Sequence, residues 1–229
     1  MAAMQHNILL TGASGYLGGT LLARWKSANL PSYGTFYALV RTDEQGKSVK
    51  QYGATPIQFD VKDEAATTAA IISNKITIVF FLIDAMESAS QVSMIKALAE
   101  VKKQTGQEVH LLHTSGAKAF SNHSGHPIDR PLSDDDPELF DIQKTSKPLF
   151  PPVQQALNAN NTVIETAEKF GVRSYIFVPC IVYGEGEGFG NPISIQTVAI
   201  VKAAKKLGKL CRPDEKILVS LITFSQDPC

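Results

Sequence analysis

Six short apolar runs set the tightest limit on how this chain can fold: "NILLTG" (7–12), "TFYALVR" (35–41), "TPIQFDV" (55–61), "ITIVFFLI" (76–83), "EVHLLHTSG" (108–116) and "RSYIFVP" (173–179). Most are apolar at nearly every position. A strand with one wet face alternates, whereas a strand covered by helices on both faces is apolar throughout. Between the runs, residues 16–28, 64–73, 87–104 and 153–170 carry helical spacing. In the last of these, Val153, Leu157, Ile164 and Ala167 form one apolar stripe, "PP" opens the helix and Gly171 stops it. Strands alternating with helices predict an α/β fold, a doubly wound parallel sheet with strand order 3-2-1-4-5-6.

One long segment, 116–152, breaks the rhythm. It is polar and proline-rich, with an acidic "SDDDPE" cluster and no periodicity. Segments of this length serve as lids, binding loops or disordered stretches. There is no internal repeat.

The turn after the first run reads "TGASGYLGG". Gly12, Gly15 and Gly18 lie between a strand and a helix, where the first permits a tight turn. The second lets a phosphate approach bare backbone, and the third lets the helix pack close to the strand. The helix that follows offers free N–H groups and a positive dipole end to a pyrophosphate.

Composition excludes several partners. Twenty-two basic residues balance twenty-two acidic ones, so no global field draws the chain to nucleic acid or an anionic membrane. Cys180, Cys211 and Cys229 stand at unrelated spacings that suit neither a disulfide framework nor a zinc site, and read as reduced thiols. No basic region followed by a long apolar run opens the chain, and "ITIVFFLI" is too short to span a bilayer. A cytoplasmic location and a small-molecule partner are expected, and the sequons at Asn122 and Asn160 are then chance matches. His110 and His113 face opposite sides of a strand, while His123 and His126 sit in a polar segment. No metal site is expected.

"TGASGYLG" resembles the TGxxGxxG fingerprint of the short-chain dehydrogenase/reductase superfamily, in its extended or atypical branch with the epimerases, dehydratases and NmrA-like proteins. "ALVR", "FDVKD", "HTSG" and "VPCIVYGEGEG" follow in the matching order. The resemblance covers roughly 7–207 and is closest to fungal NAD(P)-binding, epimerase/dehydratase-like proteins. It implies a Rossmann dinucleotide-binding domain over 1–180 and a partial substrate portion over 181–229. It also implies that Gly12, Ser14, Gly15, Tyr16, Leu17 and Gly18 hold the cofactor phosphates. Asp60 and Val61 would flank the adenine, Ile83, Asp84 and Ala85 would lie along the cofactor, and Thr114 and Pro179 would close on it. Asp84 alternatively serves only as a turn or cap residue. Arg41 ends the second run, with Asp43 two residues later. An arginine there attracts a ribose 2′-phosphate that a carboxylate would repel, which favours NADP over NAD.

Reductases of this superfamily use a Ser, Tyr and Lys set. The tyrosine moves the proton on the substrate oxygen, and the lysine charge favours a phenolate that otherwise forms only near pH ~10. Ser115 occupies the serine slot and is the candidate catalytic residue. Counting back along the helix from Val178 and Pro179 puts the other two slots at Pro152 and Ala156, neither of which can move a proton. There is no tyrosine between Tyr52 and Tyr175, while Lys144 and Lys147 bring an amine near only if their segment folds back. By the same resemblance, "VYGEGEGFGNPISIQ" places Tyr183, Asn191, Ser194 and Gln196 along the substrate; alternatively it is a glycine-rich turn before a helix cap. After "KKLGK" the resemblance fades, and the chain beyond about 208 is expected to be divergent or truncated.

Three functional readings follow. One is an NADP-dependent oxidoreductase or epimerase-like enzyme for a small carbonyl or hydroxyl compound. The second is a non-catalytic NADP sensor of the NmrA-like kind, and the third a truncated, inactive product. Substrate and oligomeric state are not legible.

Overall fold

The computed structural model describes residues 5–127 and 129–209. The strands are β1 (Asn7–Leu10), β2 (Phe36–Leu39), β3 (Thr55–Ile57), β4 (Ile76–Phe81), β5 (His110–Thr114) and β6 (Arg173–Phe177). The α-helices are α1 (Tyr16–Arg24), α2 (Asp43–Gln51), α3 (Glu64–Ser73), α4 (Ala89–Thr105), α5 (Leu139–Thr145), α6 (Pro151–Phe170) and α7 (Ile195–Leu207). All strand pairs are parallel, in the order β3-β2-β1-β4-β5-β6. The chain therefore carries the doubly wound sheet expected of it, with the switch point between β1 and β4.

The evenly apolar runs have the physical cause inferred for them. On β1, Leu9 faces one core with its register neighbours Val79 and Leu111, packed under α3, α4 and α6. Ile8 and Leu10 point the opposite way, into a second core with Phe36, Ala38, Leu22 of α1 and Val49 of α2. Burying each such side chain is worth about 1.5–3 kcal/mol, so both faces favour the same register. That second face is incompletely covered at the β6 edge, where Tyr175 and Phe177 stay exposed.

Several element boundaries depart from the sequence expectations. α1 ends at Arg24 and a 3₁₀ turn, Trp25–Ser27, completes the segment; α4 starts at Ala89. On α6 the buried stripe is Val153, Leu157, Val163 and Ala167, with Ile164 only partly buried. Segment 116–152 is not structureless: it holds 3₁₀ turns at Ala117–Phe120 and Asn122–Ser124, and α5. α5 is anchored by polar groups, which is why no apolar period marks it. Its one buried residue, Gln143, accepts from Asn160 Nδ2 at 3.1 Å and donates to Asn161 Oδ1 at 2.6 Å. The helix α2 was also unmarked, since only Gly46 and Val49 are buried. Its signal was the cap: Thr42 Oγ1 accepts from the Gln45 N–H at 3.2 Å, and Gln45 Oε1 accepts from the Arg41 N–H at 2.8 Å.

A second polar group is buried at the end of β5. His113 is fully buried, with Nδ1 3.2 Å from Gln91 Nε2, and that amide also donates to the Glu87 carbonyl at 2.8 Å. An amide nitrogen only donates, so His113 Nδ1 accepts and the ring is neutral with its proton on Nε2. Burial holds its pKa down to about 4, against the opposing pull of Asp84 and Asn160. A histidine that resists protonation only when folded stabilises fully above its unfolded pKa near ~6.5, and that stability is lost as pH falls towards the folded value. Wild-type protein is expected to lose about 3 kcal/mol from this group between neutral pH and pH ~4. Urea unfolding across that range checks it: His113→Gln is less stable at neutral pH and shows a flatter acid limb, and an unchanged limb would refute the assignment.

The C-terminal expectations, with Cys211, Cys229 and the apolar run 217–224, lie outside the described residues.

Candidate functional site

In a parallel sheet every strand ends at the same edge, so the loops after β1 to β6 converge there. That edge collects nearly all the candidate cofactor residues. Gly12 to Gly18 follow β1, Arg41 follows β2, Asp60 and Val61 follow β3, Ile83 to Ala85 follow β4, Thr114 ends β5 with Ser115 next, and Pro179 follows β6.

The glycine turn is built for close approach. Gly12 takes φ +72°, the left-handed region, and a Cβ there would meet the Leu82 carbonyl oxygen at 2.8 Å. A Cβ on Gly18 would lie 2.3 Å from the Gly12 carbonyl oxygen, so α1 can sit this close to the turn only without a side chain. The turn is closed by the Gly15 N–H donating to the Gly12 carbonyl at 2.8 Å. No side chain caps α1 and no acidic residue lies in its first turn, whereas Thr42 caps α2 and Asp63 caps α3. The positive end of α1 is thus left for an anion. Backbone free of Cβ atoms beside an uncapped helix end fits the pyrophosphate of a dinucleotide.

The charged candidates divide by what they hold. The Arg41 guanidinium makes no hydrogen bond or ion pair among the described residues. Asp43 Oδ1, the competing carboxylate, accepts from Gln58 Nε2 at 3.1 Å. Asp60 Oδ1 accepts from the Lys62 N–H at 2.9 Å, and Asp84 Oδ1 from the Met86 N–H at 2.7 Å. Asp84 is therefore a turn residue in this structure, the alternative reading of its side chain.

Beside this edge lies a cleft of about 420 Å³ lined by Ala85, Met86, Ser115, Gly116, Lys118, Ala119, Phe150, Pro152, Val153 and Ala156. Its backbone is tied to β6, since the Ser115 N–H donates to the Phe177 carbonyl at 2.8 Å and the Ala117 N–H to that of Pro179 at 3.0 Å. Ser115 is 7 % exposed and its Oγ has no hydrogen-bond partner among the described residues. A buried hydroxyl left unpaired is costly and calls for a partner. Pro152 and Ala156, the positions at which the resemblance leads one to expect tyrosine and lysine, line the same cleft, four residues apart on α6.

The expected substrate-lining group does not join it. Tyr183 is 76 % exposed, Asn191 closes an Asx turn on Ile193, Ser194 donates to the Val182 carbonyl, and Gln196 is exposed on α7. None of the four lines the Ser115 cleft. Their segment turns instead onto α1: the Asn191 N–H donates to the Ser14 carbonyl at 3.0 Å and Tyr16 Oη to the Gly184 carbonyl at 3.1 Å. Arg24 pairs with Glu187, and the Glu187 N–H donates to Thr20 Oγ1 at 3.3 Å. Glycines permit this close packing, because a Cβ on Gly190 would lie 2.1 Å from the Ser14 carbonyl oxygen. Of the amines, Lys144 is bound to Glu165 at 2.6 Å and Lys147 is exposed. Lys118 lines the same cleft and is solvent-exposed. Among the described residues no cluster of His, Cys, Asp and Glu is placed to hold a metal ion, and no helix is long and apolar enough to cross a membrane.

A doubly wound sheet with a glycine turn at its switch point defines a dinucleotide-binding class, and the comparisons specify it. The model of the NAD-dependent epimerase/dehydratase family matches residues 8–216, and the chain belongs to that family. No curated protein matches it significantly. Among solved structures it is similar to the terminal R domain of the myxalamid PKS-NRPS biosynthetic pathway. That match has 16% identity and a TM-score of 0.60, covering 91% of this chain and 57% of the other. A second is a UDP-glucose 4-epimerase with UDP-glucose from Thermotoga maritima, at 16% identity and TM-score 0.53, covering 89% and 64%. A third is the Bordetella bronchiseptica enzyme WbmH in complex with NAD+, at 13% identity and TM-score 0.53, covering 90% and 64%. The chain spans less than two thirds of the length of each of these structures.

Proposed function

We propose that this chain binds NADP and belongs functionally with the oxidoreductases and epimerase-like enzymes that act on a small carbonyl or hydroxyl compound. The observation that carries the proposal is the Cβ-free cradle at Gly12, Gly15 and Gly18 beside the uncapped end of α1. Gly12 to Gly18 hold the pyrophosphate, Arg41 the 2′-phosphate, Asp60 and Val61 the adenine side, and Ile83 to Ala85 with Thr114 and Pro179 the path towards the cleft. Bound there, the dinucleotide supplies hydride transfer. Ser115 is the one hydroxyl-bearing residue among those lining the cleft, its Oγ buried and unpaired, and it is the candidate to donate to a substrate oxygen. The absence of a titratable group at Pro152 and Ala156 favours slow chemistry, and supports as second reading a dinucleotide sensor that binds without turning over.

Arg41 tests the cofactor assignment. Its guanidinium is uncommitted among the described residues, and a charge-assisted contact to phosphate is worth about 1.5–3 kcal/mol. Arg41→Ala is expected to weaken NADPH binding by roughly tenfold to a hundredfold and to leave NADH nearly unchanged, as read by calorimetry. Equal losses for both cofactors would overturn the assignment.

A further inference from the structure

The Ser115 cleft has an unusual balance of groups. Most of the lining residues are hydrocarbon, Met86, Phe150, Pro152 and Val153 among others, and only Ser115 and Lys118 carry a nitrogen or oxygen in the side chain. No carboxylate lines it. Lys118 sits on the turn Ala117–Phe120, and its own carbonyl accepts from Ser121 Oγ at 2.8 Å and Ser124 Oγ at 2.7 Å, which fixes its backbone. Lys118 is solvent-exposed, and its ammonium has no ion-pair partner among the described residues. Two residues of the first turn of α6, Pro152 and Val153, also line the cleft, and that turn carries no acidic residue. The helix end adds a positive field. The one charged side chain among the lining residues is therefore cationic, and the buried, unpaired Ser115 hydroxyl lies in the same wall.

We infer that this cleft takes a small, largely hydrocarbon carbonyl compound bearing a carboxylate, with the Lys118 ammonium as its counter-charge. The inference rests on the cleft being the reaction site of the proposed function. A carboxylate fits better than a phosphate. The prolines at the start of α6 have no N–H, so the helix end offers its field without the row of donors that a phosphate uses. One ammonium balances one negative charge and provides no bidentate fork. The hydrocarbon wall takes the body of the compound, and Ser115 Oγ donates to its carbonyl oxygen.

The test compares α-ketoisocaproate with methyl isobutyl ketone, which has a methyl group in place of the carboxylate. Each is titrated calorimetrically into wild-type protein, Lys118→Gln and Lys118→Arg, and NADPH is titrated into the same samples. The keto acid is expected to bind wild type about tenfold more tightly than the ketone. Lys118→Gln removes the difference, Lys118→Arg keeps it, and NADPH affinity is the same in all three. A chain that binds the keto acid selectively but not NADPH upholds the carboxylate site and overturns the cofactor assignment alone. A chain that binds NADPH but shows no keto-acid preference overturns the present inference alone. A preference that survives in Lys118→Gln, or inorganic phosphate displacing the keto acid at equal concentration, also overturns it.

Discussion

The double variant Pro152→Tyr, Ala156→Lys is expected to reduce a generic carbonyl substrate roughly 10²- to 10⁴-fold faster than wild type in the presence of NADPH, the range that positioned acid catalysis contributes. Both positions line the cleft that contains Ser115, and their four-residue spacing puts them on one face of α6. Tyrosine at the first position brings a phenol to the substrate oxygen. Lysine one turn on lowers the phenol pKa from near ~10 by placing a positive charge beside it. The site tolerates the change: Pro152 is exposed in the first helical turn, and Ala156 is only partly buried at the cleft wall. NADPH consumption by the two proteins measures the ratio. A double variant that folds and binds NADPH yet stays as slow as wild type would show that substrate binding is limiting. Brisk reduction by wild type, abolished by Ser115→Ala, would show that the chain already has a proton donor.

Replacing Gly18 has the second large effect. A Cβ at this position would lie 2.3 Å from the Gly12 carbonyl oxygen and 2.7 Å from its carbon. Both are backbone atoms of a turn that Gly12 holds at positive φ and that the Gly15 N–H closes, so neither can yield like a side-chain end. Gly18→Val must push α1 away from the turn and with it the N–H groups proposed to face the phosphates. Overpacking of this kind costs about 1–3 kcal/mol of stability, and NADPH affinity is expected to fall at least about tenfold as the cradle opens. Thermal unfolding and calorimetry on the same sample read both. A variant with wild-type affinity would mean that the pyrophosphate does not rest on this turn.

The sheet was legible because its signal is dense. The central strands β1 and β4 are buried on both faces, so almost every residue of runs such as "ILL" and "ITIVFF" reports burial, and the glycine turn is specified by sterics that no other residue satisfies. α2 and α5 were not legible, because they hold on through caps and amide pairs such as Gln143 with Asn160, which leave no apolar period. The positions of Pro152 and Ala156 could be counted along α6, since helical geometry fixes them once the helix is placed. The path of 182–194 could not. It depends on glycines meeting α1 across a separation of about 170 residues, and a strand-and-helix pattern carries no information about such a contact. The setting of Lys118 was not legible for a similar reason: it lies near Ser115 in sequence, but that no carboxylate shares its cleft appears only when α6 closes it.

Parallel calorimetric titration of NADPH and NADH into the wild-type chain decides whether the glycine turn and Arg41 work together as a dinucleotide site. NADPH is expected to bind one-to-one and at least about tenfold more tightly than NADH, the margin of one charge-assisted phosphate contact. No binding of either dinucleotide, or tighter binding of NADH, would contradict the assignment of that site.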